Sequence, residues 1–216
     1  MRSSNRILIA DDHPLTREGL SLAARVAMPG SSVHGVGTIA ESVALLEQWK
    51  TCRMILLDFM LPDAHGYTGL LTLQSVLPRT PIVVTSAREE HALIEAAKAL
   101  SAAGFLLKSR PLDDIADSLR RIDEGETMFP ANVTPDQGVS AARQRIADLS
   151  PAQHAVLMAL ADGRSNKQIA YDLNVTEATI KAHLTAIFRK LGVANRSQAL
   201  IAVQPLFQAG SVRAIE

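Results

Sequence analysis

A chain of 216 residues, 47% of them hydrophobic, is long enough for two packed cores, and its 22 basic and 22 acidic side chains cancel to a formal net charge of zero. Its single cysteine, Cys52, excludes an internal disulfide framework. No apolar run approaches the roughly 18 residues of a membrane span, and the stretch before Asp11 is too short for a secretion signal, so a cytoplasmic protein is expected. The zero balance hides a division along the chain: residues 1–130 carry 13 basic against 16 acidic side chains, whereas 164–196 carry 6 against 2. That asymmetry is compatible with a nucleic-acid-binding second half, and also with a solvated basic helix face.

From the N-terminus, β-like runs alternate with amphipathic ones. Strands are expected at 6–10, 32–37, 54–58, 81–85 and 104–107, with helices at 14–28, 39–49, 67–76, 88–101 and 112–125 between and after them. Strict alternation of this kind predicts an α/β domain with a doubly wound, five-stranded parallel sheet over residues 1–125. The near-continuous apolar runs Met54 to Leu57 and Ile82 to Val84 fit a sheet covered on both faces. Residues 126–147 hold Pro130, Pro135 and Gly138 without a sustained period and read as a linker, in which 140–147 has the makings of a short helix.

From Ser150 onward the pattern is helical only. Ser150-Pro151-Ala152-Gln153 places a capping Ser before Pro at the first helical position with Gln at the third. Ser165 to Gln168 repeats the box, Asn195 to Gln198 does so more weakly, and Thr176 is a fourth cap. Helices over 151–162, 166–173, 177–191 and 196–208 result. Only Asn174-Val175-Thr176 separates the second from the third, the short turn of a helix-turn-helix in a small all-α domain over 148–216.

Asp11, Asp12, Asp58, Ser86 and Lys108 each sit at the C-terminal end of an apolar run. In an open α/β sheet such groups collect in the crevice outside the carboxyl ends of the strands. Three carboxylates in one pocket repel by about 4 kcal/mol per pair at 4 Å and an effective dielectric of 20, so they want a cation, and oxygen-only donors select a hard ion such as Mg²⁺. A carboxylate can also take a phosphoryl group, with a metal and Lys108 neutralising its charge. Taken singly each residue has a commoner role: a strand-end Asp or Ser caps the next helix and a lone Lys is solvated.

Taken jointly, Ile9-Ala10-Asp11-Asp12-His13, Leu57-Asp58-Phe59-Met60-Leu61-Pro62 with Gly66, Val84-Thr85-Ser86-Ala87 and Leu107-Lys108-Ser109 resemble the receiver domain of bacterial two-component response regulators. The steps of 46 residues from Asp12 to Asp58, 28 to Ser86 and 22 to Lys108 are similar to those of the NarL/FixJ subfamily. The resemblance implies a flavodoxin-like receiver with Asp58 as phosphoacceptor, and Mg²⁺ held by Asp11, Asp12, Asp58 and the backbone carbonyl of Met60. It implies that Lys108 pairs with the phosphoryl oxygens, that Ser86 swings to hydrogen-bond one of them, and that Phe105 stands at the aromatic switch position, where an ordinary apolar strand residue is an equal reading. Thr85 also carries a hydroxyl; Ser86 is chosen because the small Ala87 follows it. Met60 and Arg88 fall where the family admits the water that hydrolyses the phosphoryl group.

In the helix at 177–191, Ile180, Leu184, Ile187, Phe188 and Leu191 form one apolar stripe, which leaves Lys181, Ala182, Thr185 and Arg189 on the other side. A helix-turn-helix presents such a face to the DNA major groove, where Lys can donate to guanine and Ala can touch a thymine methyl; a solvated helix is the even alternative on this stripe alone. The run Leu149-Ser150-Pro151 through Asn195-Arg196 resembles the LuxR-type DNA-binding domain. The resemblance makes Lys167, Thr179, Arg189 and Arg196 phosphate anchors and His183 a boundary residue. It also implies a homodimer on DNA through the apolar remainder of the last helix, beyond Leu200 and Ile201 packed within the domain.

The expectation is a response regulator transcription factor: a sensor histidine kinase phosphorylates Asp58, and the C-terminal domain binds double-stranded promoter DNA as a dimer. It is not expected to be an enzyme beyond assisting its own phosphoryl transfer and hydrolysis, because Asp58-Phe59-Met60 lacks a second carboxylate two residues after the nucleophile. The alternative is a receiver-containing regulator working without phosphorylation, through protein contact.

Overall fold

The computed structural model describes residues 5–64, 66–131, 133–134 and 136–208; Pro135 of the linker and residues 209–216 of the expected C-terminal domain lie outside them. Five parallel strands, β1 (Arg6–Ala10), β2 (Ser32–Val36), β3 (Met54–Asp58), β4 (Ile82–Ser86) and β5 (Gly104–Leu107), form one sheet in the order β2-β1-β3-β4-β5. Helices α1 (Pro14–Ala27), α2 (Ile39–Trp49), α3 (Thr68–Val76), α4 (His91–Ala99) and α5 (Leu112–Asp123) connect and follow them.

Alternation along the strands divides the core. Ile7, Ile9, Met54, Leu56, Val83 and Leu106 are buried with residues of α1 and α5, and Leu8, Ala10, Ile55, Leu57, Val84 and Phe105 are buried with residues of α2, α3 and α4. The doubly wound expectation holds. Helix α4 starts at His91 rather than Arg88 because the turn before it is otherwise occupied: the Arg88 amide donates to Ser86 Oγ and its guanidinium pairs with Glu90.

The segment read as linker is ordered by two contacts that leave little local signal. Residues around Met128 run along the open edge of β5: the Met128 amide donates to Ala103 O at 3.0 Å and the Phe105 amide to Met128 O at 2.8 Å. Gly104 permits that approach, since a Cβ there would stand 2.8 Å from Met128 O. Helix α6 (Gln137–Ile146) then starts on an Asp136 cap, which accepts the Val139 amide at 2.8 Å, and buries Val139, Ala142 and Ile146. The short helix foreseen at 140–147 is therefore three residues longer at its start.

Four helices complete the chain: α7 (Pro151–Ala161), α8 (Asn166–Asp172), α9 (Glu177–Leu191) and α10 (Arg196–Gln208). Ser150 and Ser165 each form the full reciprocal capping box with Gln153 and Gln168, and Thr176 caps α9. In the weaker box, Asn195 Oδ1 accepts the Gln198 amide, while Gln198 Oε1 reaches the Ala194 amide, one residue further back. Helix α6 packs against α4 and α10, and α7 against α3, so the apolar core continues from the sheet domain into the helical one.

Candidate phosphoacceptor site and nucleic-acid interface

Parallel register aligns the carboxyl ends of β1 and β3, which are neighbours, with that of β5 beyond β4, and the side chains at or just after these ends meet there. Asp11 and Asp58 are buried, yet Lys108 Nζ stands 2.7 Å from Asp11 Oδ2 and 2.7 Å from Asp58 Oδ2. Those contacts satisfy charge without the directionality of a hydrogen bond, since neither oxygen has a hydrogen-bond partner among the described residues. The outer oxygens are held by local amides: His13 N donates to Asp11 Oδ1 at 2.9 Å and Met60 N to Asp58 Oδ1 at 3.1 Å. Each carboxylate thus has one oxygen fixed by backbone and one turned toward the ammonium.

Asp12 lies at the rim, where its Oδ1 is 2.7 Å from His13 Nδ1. One donor atom from each of Asp11, Asp12, His13 and Asp58 falls within 4.8 Å of the others, a cluster that could hold a metal ion. The donor chemistry fits a small hard cation: two buried carboxylate oxygens have a single ammonium as counter-charge, and a third carboxylate stands open beside them. His13 was not singled out from the sequence, although its place directly after the acid pair was the available signal. Asp63, in the loop after β3, has a different task, accepting the Ile39 and Ala40 amides at 2.9 and 3.0 Å and so capping α2.

The residues expected to form the switch lie on β4 and β5, beside the acidic cluster. Thr85 is the register partner of Asp58, and its buried Oγ1 has no hydrogen-bond partner among the described residues. Ser86 is fully buried with its Oγ accepting the Arg88 amide at 3.0 Å, so in this state its hydroxyl serves the loop rather than Asp58. Phe105 is buried with its amide bonded to Met128 O, which ties the aromatic position directly to the linker. Met60 is exposed at the mouth, and Arg88 is ion-paired with Glu90.

The second candidate surface is built on α9. Ile180, Leu184, Ile187 and Leu191 are buried, whereas Lys181, Ala182, Thr185 and Arg189 are exposed on one side. Lys181 pairs with Glu177 at 3.4 Å, and Thr185 Oγ1 donates to Lys181 O at 3.0 Å, which holds the face together without covering it. Lys167 is exposed at the start of α8, Thr179 and His183 are half-buried, and Asn174 makes the turn with φ of 51°, a left-handed conformation that Asn tolerates. Arg196 is otherwise engaged: its Nη2 donates to Leu160 O at 3.2 Å and Arg164 O at 2.9 Å, clasping the end of α7 to the start of α10.

Comparison with known proteins decides the family. Residues 7–120 match the response regulator receiver domain, and residues 147–203 match the luxR family of bacterial regulatory proteins. The chain is 35% identical over 206 residues to the glycerol metabolism activator of Pseudomonas putida, covering 91% of this chain and 93% of that protein. It belongs to the NarL/FixJ-type response regulators. The nitrate/nitrite response regulator NarL of Escherichia coli K12 is 29% identical over 201 residues, covering 90% of this chain and 93% of its own. The fold matches that of the RcsB response regulator of Salmonella typhimurium with a TM-score of 0.52 at 24% identity, over 94% of this chain and 99% of the other. This response regulator therefore carries a receiver domain and a LuxR-type DNA-binding domain, and its acidic cluster belongs to the receiver.

Proposed function

We propose that this response regulator is a cytoplasmic transcription factor controlled by phosphorylation of Asp58, with a sensor histidine kinase or a small phosphodonor as the source of the phosphoryl group. The observation that carries this reading is the clasp of Lys108 between Asp11 and Asp58: a buried carboxylate held by one amide, with its other oxygen presented to a cation. Asp58 Oδ2 attacks phosphorus, the bond from phosphorus to the donor breaks, and the acyl phosphate remains on Asp58. Lys108 moves from a carboxylate oxygen to a phosphoryl oxygen. Mg²⁺, held by Asp11, Asp12, Asp58 and the Met60 carbonyl, would neutralise charge on the transferring group. The protein assists only phosphoryl transfer to, and hydrolysis from, its own Asp58, which makes it a switch rather than an enzyme.

Ser86 Oγ exchanges the Arg88 amide for a phosphoryl oxygen, and Phe105 follows inward. Because the Phe105 amide is bonded to Met128 O, that movement is passed to the segment leading into α6. A full switch from 1:99 to 99:1 needs about 5.5 kcal/mol of differential stabilisation, which several charge-assisted bonds can approach. The released C-terminal domain then binds promoter DNA as a homodimer, with Lys181, Ala182 and Thr185 reading bases and Lys167, Thr179 and Arg189 on phosphates.

Incubation with acetyl phosphate and Mg²⁺ tests the reading. The wild type is expected to gain the mass of one phosphoryl group and to bind promoter DNA more tightly, whereas Asp58→Ala gains neither. An unchanged wild-type mass overturns phosphoryl control and leaves regulation through protein contact.

A further inference from the structure

Between the receiver and the helical domain lies a cavity of about 660 Å³, walled by α3 and α4 on one side and by α6 and the start of α7 on the other. Its volume is that of a small-molecule site. Leu71 and Ile146 contribute apolar wall, and Gln74 and Ser101 add polar atoms. The charge census is one-sided: Arg143 lines the cavity, and no Asp or Glu does among the described residues.

Arg143 donates to Ser101 Oγ, and no ion pair is formed by its guanidinium among the described residues. Burial without an acid lowers its pKa, a cost that a bound anion would remove. On the same wall, at the start of α7, His154 is 7% exposed and lines the cavity too, and its ring has no hydrogen-bond partner among the described residues. A buried imidazole without a partner is a donor or acceptor in reserve. Apolar walls, one uncompensated guanidinium and one unpartnered imidazole form a complementary set.

We propose that this cavity binds a small organic acid, a monoanion whose carboxylate meets Arg143 and His154 and whose aliphatic or aromatic body lies between Leu71 and Ile146. The ligand bridges the receiver and the α6–α7 segment, so the protein takes a second, chemical input at the seam between its two domains, separate from Asp58.

Titration of the full chain with 4-phenylbutyrate, followed by amide chemical shifts, tests the site against the uncharged 4-phenylbutanamide. The acid is expected to bind in the millimolar range and to shift amides of α3 or α4 together with those of α6 or α7. The amide is expected to bind about tenfold or more weakly, and Arg143→Gln to lose about tenfold in affinity for the acid while Arg143→Lys retains most of it. Equal binding of acid and amide, an unchanged affinity in Arg143→Gln, shifts confined to one side of the seam, or no binding of the acid at all would overturn the proposal. Arg143 is half-buried on a helix surface and its replacement leaves the core intact.

Discussion

Two residues show how burial rather than residue type sets chemistry here. Lys108 and His154 are both basic, yet Lys108 lies between two buried carboxylates and His154 has no acid beside it among the described residues. Burial pushes the His154 imidazole down to about 4 from its usual 6.5. The folded protein therefore holds the ring neutral while an unfolded or undocked chain takes up a proton near pH 6.5. The stability from neutral burial is complete above that value and is lost as pH falls from 6.5 toward about 4. Urea denaturation is expected to show about 2 kcal/mol less stability at about pH 5 than at about pH 7.5 from this group, and the His154→Leu variant should lack that part of the pH slope. The acidic site was legible from the sequence because each member ends a strand and parallel register aligns strand ends. The clasp by a single ammonium was not, because it depends on distances across the sheet, and the turn of the Ser86 hydroxyl to the Arg88 amide is set by the packing around it rather than by residue type.

At the scale of elements, the helices with chemical boundary signals were the readable ones. Ser150 with Gln153 and Ser165 with Gln168 announce α7 and α8 within four residues, and both boxes form as drawn. Helix α6 has a cap at Asp136 but only Val139, Ala142 and Ile146 for an apolar stripe, with Gly138 beside the cap; it exists because α4 and α10 cover that stripe. Lys181 on α9 and Lys167 on α8 are both exposed, and the proposed DNA contacts give them different tasks. Lys181→Ala is expected to relax base preference, costing about 1–3 kcal/mol at one position of the operator, whereas Lys167→Ala should weaken binding evenly across sequences and lower the salt slope by about 1. Binding measured on specific and scrambled DNA at several salt concentrations separates the two, and a uniform loss in both variants would refute the assignment of faces.

For the molecule as a whole, the seam is the main finding. Val203 and Leu206 of α10 are fully buried, and the Tyr67 amide donates to Leu206 O, so much of the apolar surface assigned to dimerisation is covered from within the chain. Ile201, expected to pack inside its own domain, is 67% exposed instead. An excess of apolar residues on a terminal helix says that a partner surface exists, not which one. Ile146 belongs to the continuous core at this seam. Ile146→Ala is expected to cost about 2–4 kcal/mol in urea denaturation and to increase protease cleavage within 126–147, with the receiver fold unchanged by far-ultraviolet circular dichroism. Unaltered stability would show that α6 contributes nothing to joining the domains.

The sequence by itself determined most of the elements, the parallel sheet, the acidic set at the strand ends and the helix-turn-helix, because periodicity, capping chemistry and strand-end polarity are written over short stretches of chain. Tertiary structure alone decided where the linker runs, which face of α10 is covered, and that Arg143 and His154 share a cavity. Those outcomes follow from close packing between residues far apart in sequence, such as the Met128 carbonyl against Gly104 and α6 against α4, and no local pattern encodes which distant surface will fit.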